Sequence, residues 1–298
     1  MPGLLKRIVA CRTRHRWGCL FQGVPVALLV AGFSGLRVYA GEATASSPKT
    51  TVNVVHAPAK SLVPDVVMDS KGVLHMVYGL ERNGYYIRSA DNGATFGPSE
   101  KVNLTNLSGL ACSMCMMRAR TGADGNVYLA FRSAEGSIRD FYVLTSRATE
   151  NRFTALRVNE DNWNIDYCPM CGPELTFAPS GQSLCAFMTR KKVYWAISDS
   201  ASPGYRLHAS TPASEEDEIY PSAIANRQGD VLFVWQVGPM AVEGTALVKW
   251  ARYDTQGKPT GEAGMVGTSF AGTKATAFVG NDDNFYIVST ATREAGAR

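Results

Sequence analysis

The run Ser89-Ala90-Asp91-Asn92-Gly93-Ala94-Thr95-Phe96 lies between two extended segments, Tyr85-Tyr86-Ile87 and Glu100-Lys101-Val102-Asn103. Asp91 can bond the backbone two residues on, and Asn92-Gly93 tolerates the positive φ of a tight hairpin. Phe96 closes the run and can fold back over the hairpin. A worn form recurs twice: Ser146 to Phe153 and Ser198 to Tyr205 each keep a serine and an aromatic seven positions later. The starts lie 57 and 52 residues apart. A period in that range indicates a propeller or another repeat array.

Outward from this turn a second pattern repeats. A Pro or polar residue opens an apolar strand, a Gly- or Asp-containing turn follows, and a second strand rich in Val, Tyr, Phe and Trp comes next. The copies run from Pro64 to Tyr78, Met117 to Arg132, Pro173 to Thr189, Pro221 to Val237 and, more loosely, Ala275 to Thr290. Their turns fall at Gly72, Gly125, Gly181, Gly229 and about Asp283. After each of the first four come a third strand and an outer fourth, such as Phe141 to Thr145 followed by Leu156 to Val158. No segment longer than a turn or two shows helical periodicity. The pattern predicts an all-β chain, a β-propeller of about five four-stranded blades, or six if a boundary is misplaced. A two-sheet sandwich is the competing architecture. Thr51 to His56 resembles the outer strands of later repeats and is expected to complete the final blade.

Composition divides the chain differently. Residues 1–40 carry Lys6, Arg7, Arg12, Arg14, Arg16 and Arg37 with no acid, an uncharged stretch from Val24 to Leu36, and the small-residue ending Val38-Tyr39-Ala40. This reads as a signal peptide cleaved after Ala40, with an uncleaved anchor over 18–36 as the alternative. Residues 41–50 form a flexible entry, and 51–298 the propeller. Without the leader the chain holds 24 basic and 26 acidic residues, a formal charge of −2 rather than +4. The basicity therefore belongs to the leader and argues against a nucleic-acid partner. Membrane contact arises only through an uncleaved leader. The body is expected in the periplasm or outside the cell, where disulfides form.

In a propeller, the turns between third and fourth strands share one face. Connections from blade to blade, and from second to third strand, share the other. Two Cys-x-x-Cys pairs, Cys112/Cys115 and Cys168/Cys171, precede the inner strands of neighbouring blades at equivalent places, twelve residues before Asp124 and Ser180. They should meet near the channel mouth. Three readings stay open: disulfides stapling the blades, a Zn²⁺ or Cu(I) site in which Met114, Met170, Met116 or Met117 helps the thiolates, or a redox-cycling pair. Cys185 sits in an apolar strand and reads as a buried small hydrophobe.

The same face gathers charge. Asp65, Arg118 and Glu174 stand at the starts of inner strands, Arg132, Arg139 and Asp140 in a connection between second and third strands, Arg190 in the next such connection, and Asp166 and Tyr167 beside Cys168. Arginine forks grip carboxylates, and a propeller mouth collects side chains from several blades. Solvated loop charges and inter-blade ion pairs are the plainer alternative. His56, His75 and His208 lack a second ligand at metal spacing. Asn103-Leu104-Thr105 and Asn106-Leu107-Ser108 match glycosylation acceptors.

Ser89-x-Asp91-x-Gly93-x-Thr95-Phe96 resembles the Asp-box, or BNR repeat, of the sialidase (neuraminidase) superfamily of β-propellers. Residues 110–180, with Phe131-Arg132, Ile138-Arg139-Asp140 and Asp161 to Pro169, resemble a bacterial group of exported sialidase-like proteins with paired cysteine motifs. The resemblance implies a glycan ligand. A sialidase needs a Tyr nucleophile paired with a Glu, an Asp acid/base and three arginines. Tyr167 or Tyr220 with Glu174, and Arg118, Arg132 and Arg139, are the residues that could imitate these parts. The family's early Phe/Tyr-Arg-Ile-Pro motif is replaced here by Leu62-Val63-Pro64-Asp65. The preferred expectation is a module binding an anionic or glycan-like ligand. A sialidase-type hydrolase and a copper- or zinc-handling protein follow it.

Overall fold

The computed structural model describes residues 9–10, 54–104, 115–134, 136–199, 202–209, 215–238, 246–254, 256–270 and 275–289. Strand β1 (Val9–Ala10) is short and pairs late in the chain. The first sheet is β2 (Leu62–Met68), β3 (Leu74–Leu80), β4 (Asn83–Ser89) and β5 (Glu100–Lys101). The second is β6 (Arg118–Thr121), β7 (Asn126–Arg132), β8 (Phe141–Arg147) and β9 (Thr154–Arg157). The third is β10 (Glu174–Phe177), β11 (Ser183–Thr189), β12 (Lys192–Ser198) and β13 (Tyr205–Ala209). The fourth is β14 (Glu218–Ala225), β15 (Val231–Val237), β16 (Ala246–Tyr253) and β17 (Pro259–Phe270). β18 (Thr276–Val279) and β19 (Phe285–Val288) form the fifth with β1.

Each four-stranded sheet is an antiparallel meander, and β2, β6, β10, β14 and β18 each lie beside the next. Sequence neighbours pair through short turns, and radial repetition follows. The fold is an all-β propeller. The second strands of the third and fourth sheets, β11 and β15, are buried along their whole length, because sheets cover both of their faces. Trp195, Trp235 and Phe233 fill the space between them.

The first-to-second-strand turns repeat a chemical device. Asp124 accepts from Asn126 N and from the Tyr128 hydroxyl at 2.7 Å; Asp282 accepts from Asn284 N and from the Tyr286 hydroxyl at 2.8 Å. Gly125 (φ 77°) takes the left-handed position in one, Asp283 (φ 63°) in the other. The prolines opening the first and fourth repeats have a reason too. Register breaks between Leu62 and Asp65 and between Ile219 and Ser222, so Pro64 and Pro221 sit in bulges where no ladder donor is required. Val63 and Tyr220, just before them, have φ of 44° and 50°.

The Ser89–Phe96 turn closes as its residues require. Ser89 Oγ donates to Asp91 and accepts from Gly93 N, while Asp91 accepts from Thr95 N at 2.9 Å and from the Thr95 hydroxyl at 2.6 Å. Phe96 packs against the cluster of Met76, Tyr78 and Ile87. A Cβ on Gly93 would lie 2.6 Å from a Val55 methyl, so the chain entering the first sheet rests on this turn. In the two worn copies the serines are put to other uses: Ser146 accepts from Arg152 N, and Ser198 from Ser183 N.

The edge of the fifth sheet departs from expectation. Val54 to His56 form no strand, and residues 51–53 lie outside the described residues. Val9–Ala10 pair with Ile287 and Tyr286 instead. Val55 and Ala57 pack on the first sheet.

Candidate functional site

Strand period 2 puts Arg118 and Arg120 on one face of β6. Arg118 reaches Glu174 on β10 through two hydrogen bonds, Nε to Oε2 at 2.8 Å and Nη2 to Oε1 at 2.6 Å. Arg120 reaches Asp65 on β2 at 3.1 Å and lies 3.9 Å from Glu174. Asp65 also accepts from the backbone of Ala119 at 2.9 Å. Four alternating charges thus span three inner strands, with 14% to 33% of each side chain exposed. Burial alone would lower the Arg118 pKa, but the hydrogen bonds and charge of Glu174 outweigh it and hold that guanidinium more firmly charged. Arg120 was not among the expected residues, although the Arg-x-Arg spacing places it.

Arg132, Arg139 and Asp140, expected at the open mouth, are instead enclosed, at 1%, 6% and 0% exposure. Arg132 donates to the carbonyls of Arg139, Cys171 and Met188, and its guanidinium lies over the Phe141 ring at 4.1 Å and the Trp163 ring at 5.3 Å. Arg139 donates to the carbonyls of Gly136 and Ile138. Asp140 pairs with Arg157 and accepts from Asn159. The fork geometry of arginine explains why a buried cation is tolerated here: carbonyls accept from its Nη groups where water is excluded. These three residues support the surface from below.

That surface is a hollow of about 480 Å³ lined by Asn162, Trp163, Asn164, Tyr167, Arg190 and Lys191. Tyr167 is half exposed and Asp166 beside it is exposed, whereas Trp163 is anchored on Arg132. Arg190 and Lys191 form the two-residue turn between β11 and β12, closed by the Thr189–Lys192 pair. Both have positive φ, 48° and 62°, in a turn where Asn-Gly is favoured. Arg190 contacts Asp161, and Lys191 lies 3.1 Å from Asp217. The hydrogen bond and charge of Asp217 raise the Lys191 pKa. Asn162 is held by Arg157 and by the carbonyl of Glu160, so the Tyr167 ring, the Asn164 amide and the two cations are the groups that can together hold a sugar ring bearing a negative group.

Another hollow of about 480 Å³ adjoins the Ser89–Phe96 turn, lined by Asp69, Arg88, Ser89 and Thr95 among others. Asp69 there closes a turn with Lys71 N and Val73 N, Ser89 one with Gly93 N, and Arg88 donates to the carbonyl of Ala148.

The cysteine motifs do meet. Cys115 Sγ lies 3.2 Å from Cys168 Sγ, and a Cβ on Gly172 would lie 2.3 Å from the Met116 carbonyl oxygen. Cys115 and Cys171 are buried, and Met170 is 58% exposed. Cys112 and Met114 lie outside the described residues. Among the described residues no group of three or more His, Cys, Asp or Glu gathers as a metal site. Cys185 is fully buried, which pushes its thiol pKa up. Tyr220 is half buried against the third and fourth sheets' core, and burial raises its pKa. His75 is buried and bonded to Tyr86 at 2.6 Å, and His208 stacks on Trp195 at 4.3 Å.

No family model and no curated protein matches the chain. Solved structures similar to it include the GH93 α-L-arabinofuranosidase of Fusarium graminearum in complex with arabinobiose, at 13% identity and a TM-score of 0.55, covering 78% of this chain and 75% of that one. The α-L-arabinanase of Penicillium chrysogenum with arabinobiose gives 15% identity and a TM-score of 0.54, covering 80% and 77%. The F. graminearum enzyme with an iminosugar inhibitor gives 14% and 0.57, covering 80% and 76%. At these identities the likeness shows the fold alone, a propeller of the kind found in these glycoside hydrolases and not one of sialidases in particular.

Proposed function

We propose that this chain is an exported, sialidase-like β-propeller that binds an anionic carbohydrate in the hollow formed by Trp163, Tyr167, Arg190 and Lys191. One observation carries the reading: a charged Arg-Lys pair occupies a left-handed turn beside an exposed tyrosine and the Asn164 amide. The equivalent turn of the first sheet, Glu81-Arg82, has the same conformation, with φ of 48° and 63°, so what singles out Arg190-Lys191 is its paired positive charge beside Tyr167. The propellers it resembles were solved with an arabinose disaccharide or an iminosugar, which supports a carbohydrate as the ligand class. The leader's basic start, apolar middle and small-residue end support export, and its cleavage after Ala40 would take β1 from the edge of the fifth sheet.

Calorimetric titration tests the reading. Sialyllactose, or an oligosaccharide carrying uronic acid, should bind the wild type, and lactose should bind at least tenfold more weakly. Tyr167→Ala and Arg190→Ala should each weaken the charged ligand. Equal affinity for neutral and charged sugars, or no binding to either, would sink it.

A hydrolase of the same superfamily is the second reading, favoured by the partly exposed carboxylates of Glu174, between Arg118 and Arg120, and of Asp65, beside Arg120. Release of the fluorophore from a fluorogenic sialoside or arabinofuranoside, lost in Glu174→Gln, would establish it over simple binding.

A further inference from the structure

We infer that Cys115 and Cys168, one cysteine from each Cys-x-x-Cys motif, form a disulfide joining the second and third sheets. Their sulfurs are already 3.2 Å apart, although 53 residues separate them in sequence. Around them the two segments touch backbone to backbone: Gly172 approaches Met116 so closely that no side chain fits between. Three residues beyond Cys115, the Arg118–Glu174 pair pins the same seam at 2.6 Å, which keeps the thiols in register. Cys115 is buried at 1% exposure, while Cys168 is partly open to solvent and can meet an oxidant. The Met170 amide donates to Cys168 Sγ at 3.4 Å. The thiolate is the form that attacks a disulfide.

The chemistry balances with an external disulfide as oxidant. The Cys168 thiolate attacks one sulfur of oxidised glutathione, forms a mixed disulfide and releases one glutathione thiolate. Cys115 loses its proton and attacks Cys168 Sγ. The bond between the two cysteines forms and the second glutathione leaves, carrying the electron pair. Two cysteine thiols are oxidised and one external disulfide is reduced to two thiols. The product holds the loop bearing Tyr167, the residue next to Cys168, against the second sheet.

Methionines make the pairing directly readable. Cyanogen bromide cleaves after Met114, which separates Cys112 from Cys115, and after Met170, which separates Cys168 from Cys171. The full chain would be purified without reductant, exposed to oxidised glutathione, blocked with a thiol reagent in acid, cleaved and weighed by mass spectrometry. The expected product is fragment 115–116 linked to fragment 118–170. It should vanish in Cys115→Ser and persist in Cys185→Ala. Linkage of 77–114 to 115–116, linkage of 118–170 to 171–188, any other partner for Cys115, or recovery of Cys115 and Cys168 as blocked thiols would each overturn the inference. The map uses no carbohydrate, so it fails or succeeds separately from the ligand reading above.

Discussion

Arg118 holds Glu174 at two points across the seam between the second and third sheets, at 2.8 and 2.6 Å. The pair is mostly covered, so each half left alone is a charge stranded in a poorly hydrated place. Glu174→Gln keeps the shape and removes the charge. Its expected cost is about 2 kcal/mol of unfolding free energy, in line with hydrogen bonds to charged groups. Urea unfolding measures it. An Arg118→Ala/Glu174→Gln cycle should show a coupling of at least about 1 kcal/mol, as contacting residues do. Additive effects would mean that Arg120 alone carries the contact.

Arg132 should not tolerate lysine. The guanidinium satisfies three carbonyl groups at 2.7 to 3.1 Å, and an ammonium cannot reach that spread from one point. Carbonyls left without a donor cost roughly 1–3 kcal/mol each, so Arg132→Lys is expected to lose about 3 kcal/mol. A loss under about 1 kcal/mol by denaturant unfolding would show that the site relaxes around the smaller group.

Replacing Arg190-Lys191 with Asn-Gly should stabilise the fold and weaken the ligand together. Positive φ costs ordinary residues about 1 kcal/mol, which Asn-Gly largely avoids. A higher melting temperature with sialyllactose affinity reduced at least tenfold is the expected pairing. A stabilised variant that binds as before would separate this turn from the ligand site.

The Ser89–Phe96 turn should respond to acid. Hydrogen bonds from Thr95, first from its hydroxyl and then from its amide, and from Ser89 lower the Asp91 pKa to about 2, against an ordinary 3.8. The folded pKa lies below the unfolded one, so the stabilisation is present above pH 3.8 and is lost as pH falls toward 2. In Asp91→Asn this dependence should disappear. Melting curves of the two proteins should therefore differ most near neutrality, close on one another below pH 3.8 and meet as pH falls through about 2; an offset unchanged down to pH 2 would contradict the assignment.

Much of the fold was legible because turns announce themselves. Gly72, Gly125, Gly181 and Gly229 all sit at left-handed positions, and alternating apolar residues between them specify which face each strand buries. The Asp124-x-Asn126-x-Tyr128 and Asp282-x-Asn284-x-Tyr286 repeat was equally visible but reads as a repeat only once both tyrosines are seen to bond their aspartates. Charge proved harder. Arg118 and Glu174 fall where their place in the repeat puts them. Arg132 and Asp140 end and precede strands that pair with each other, and sequence alone does not say whether such a residue points to solvent or under the next sheet. Trp163 and Lys191 gave no sign of sharing a hollow with Tyr167, since that depends on how a loop from one sheet lies over a turn of the next. The partner of β19 had no signal at all, because Val9–Ala10 belongs to a stretch that reads as a leader.

Repeat architectures are often additive, each unit contributing its own stability and an interface with its neighbour. Arg132 makes the second and third sheets an exception. Its donors end on carbonyls from the loop before β8, from the entry to the third sheet and from β11, so neither sheet reaches its final packing while the other is absent. The two should therefore open as one unit. Amides of β7, β8 and β11 are expected to share a single exchange rate in native-state hydrogen exchange, slower than that of the fifth sheet, and proteases should find no intermediate in which one has come apart and the other has not.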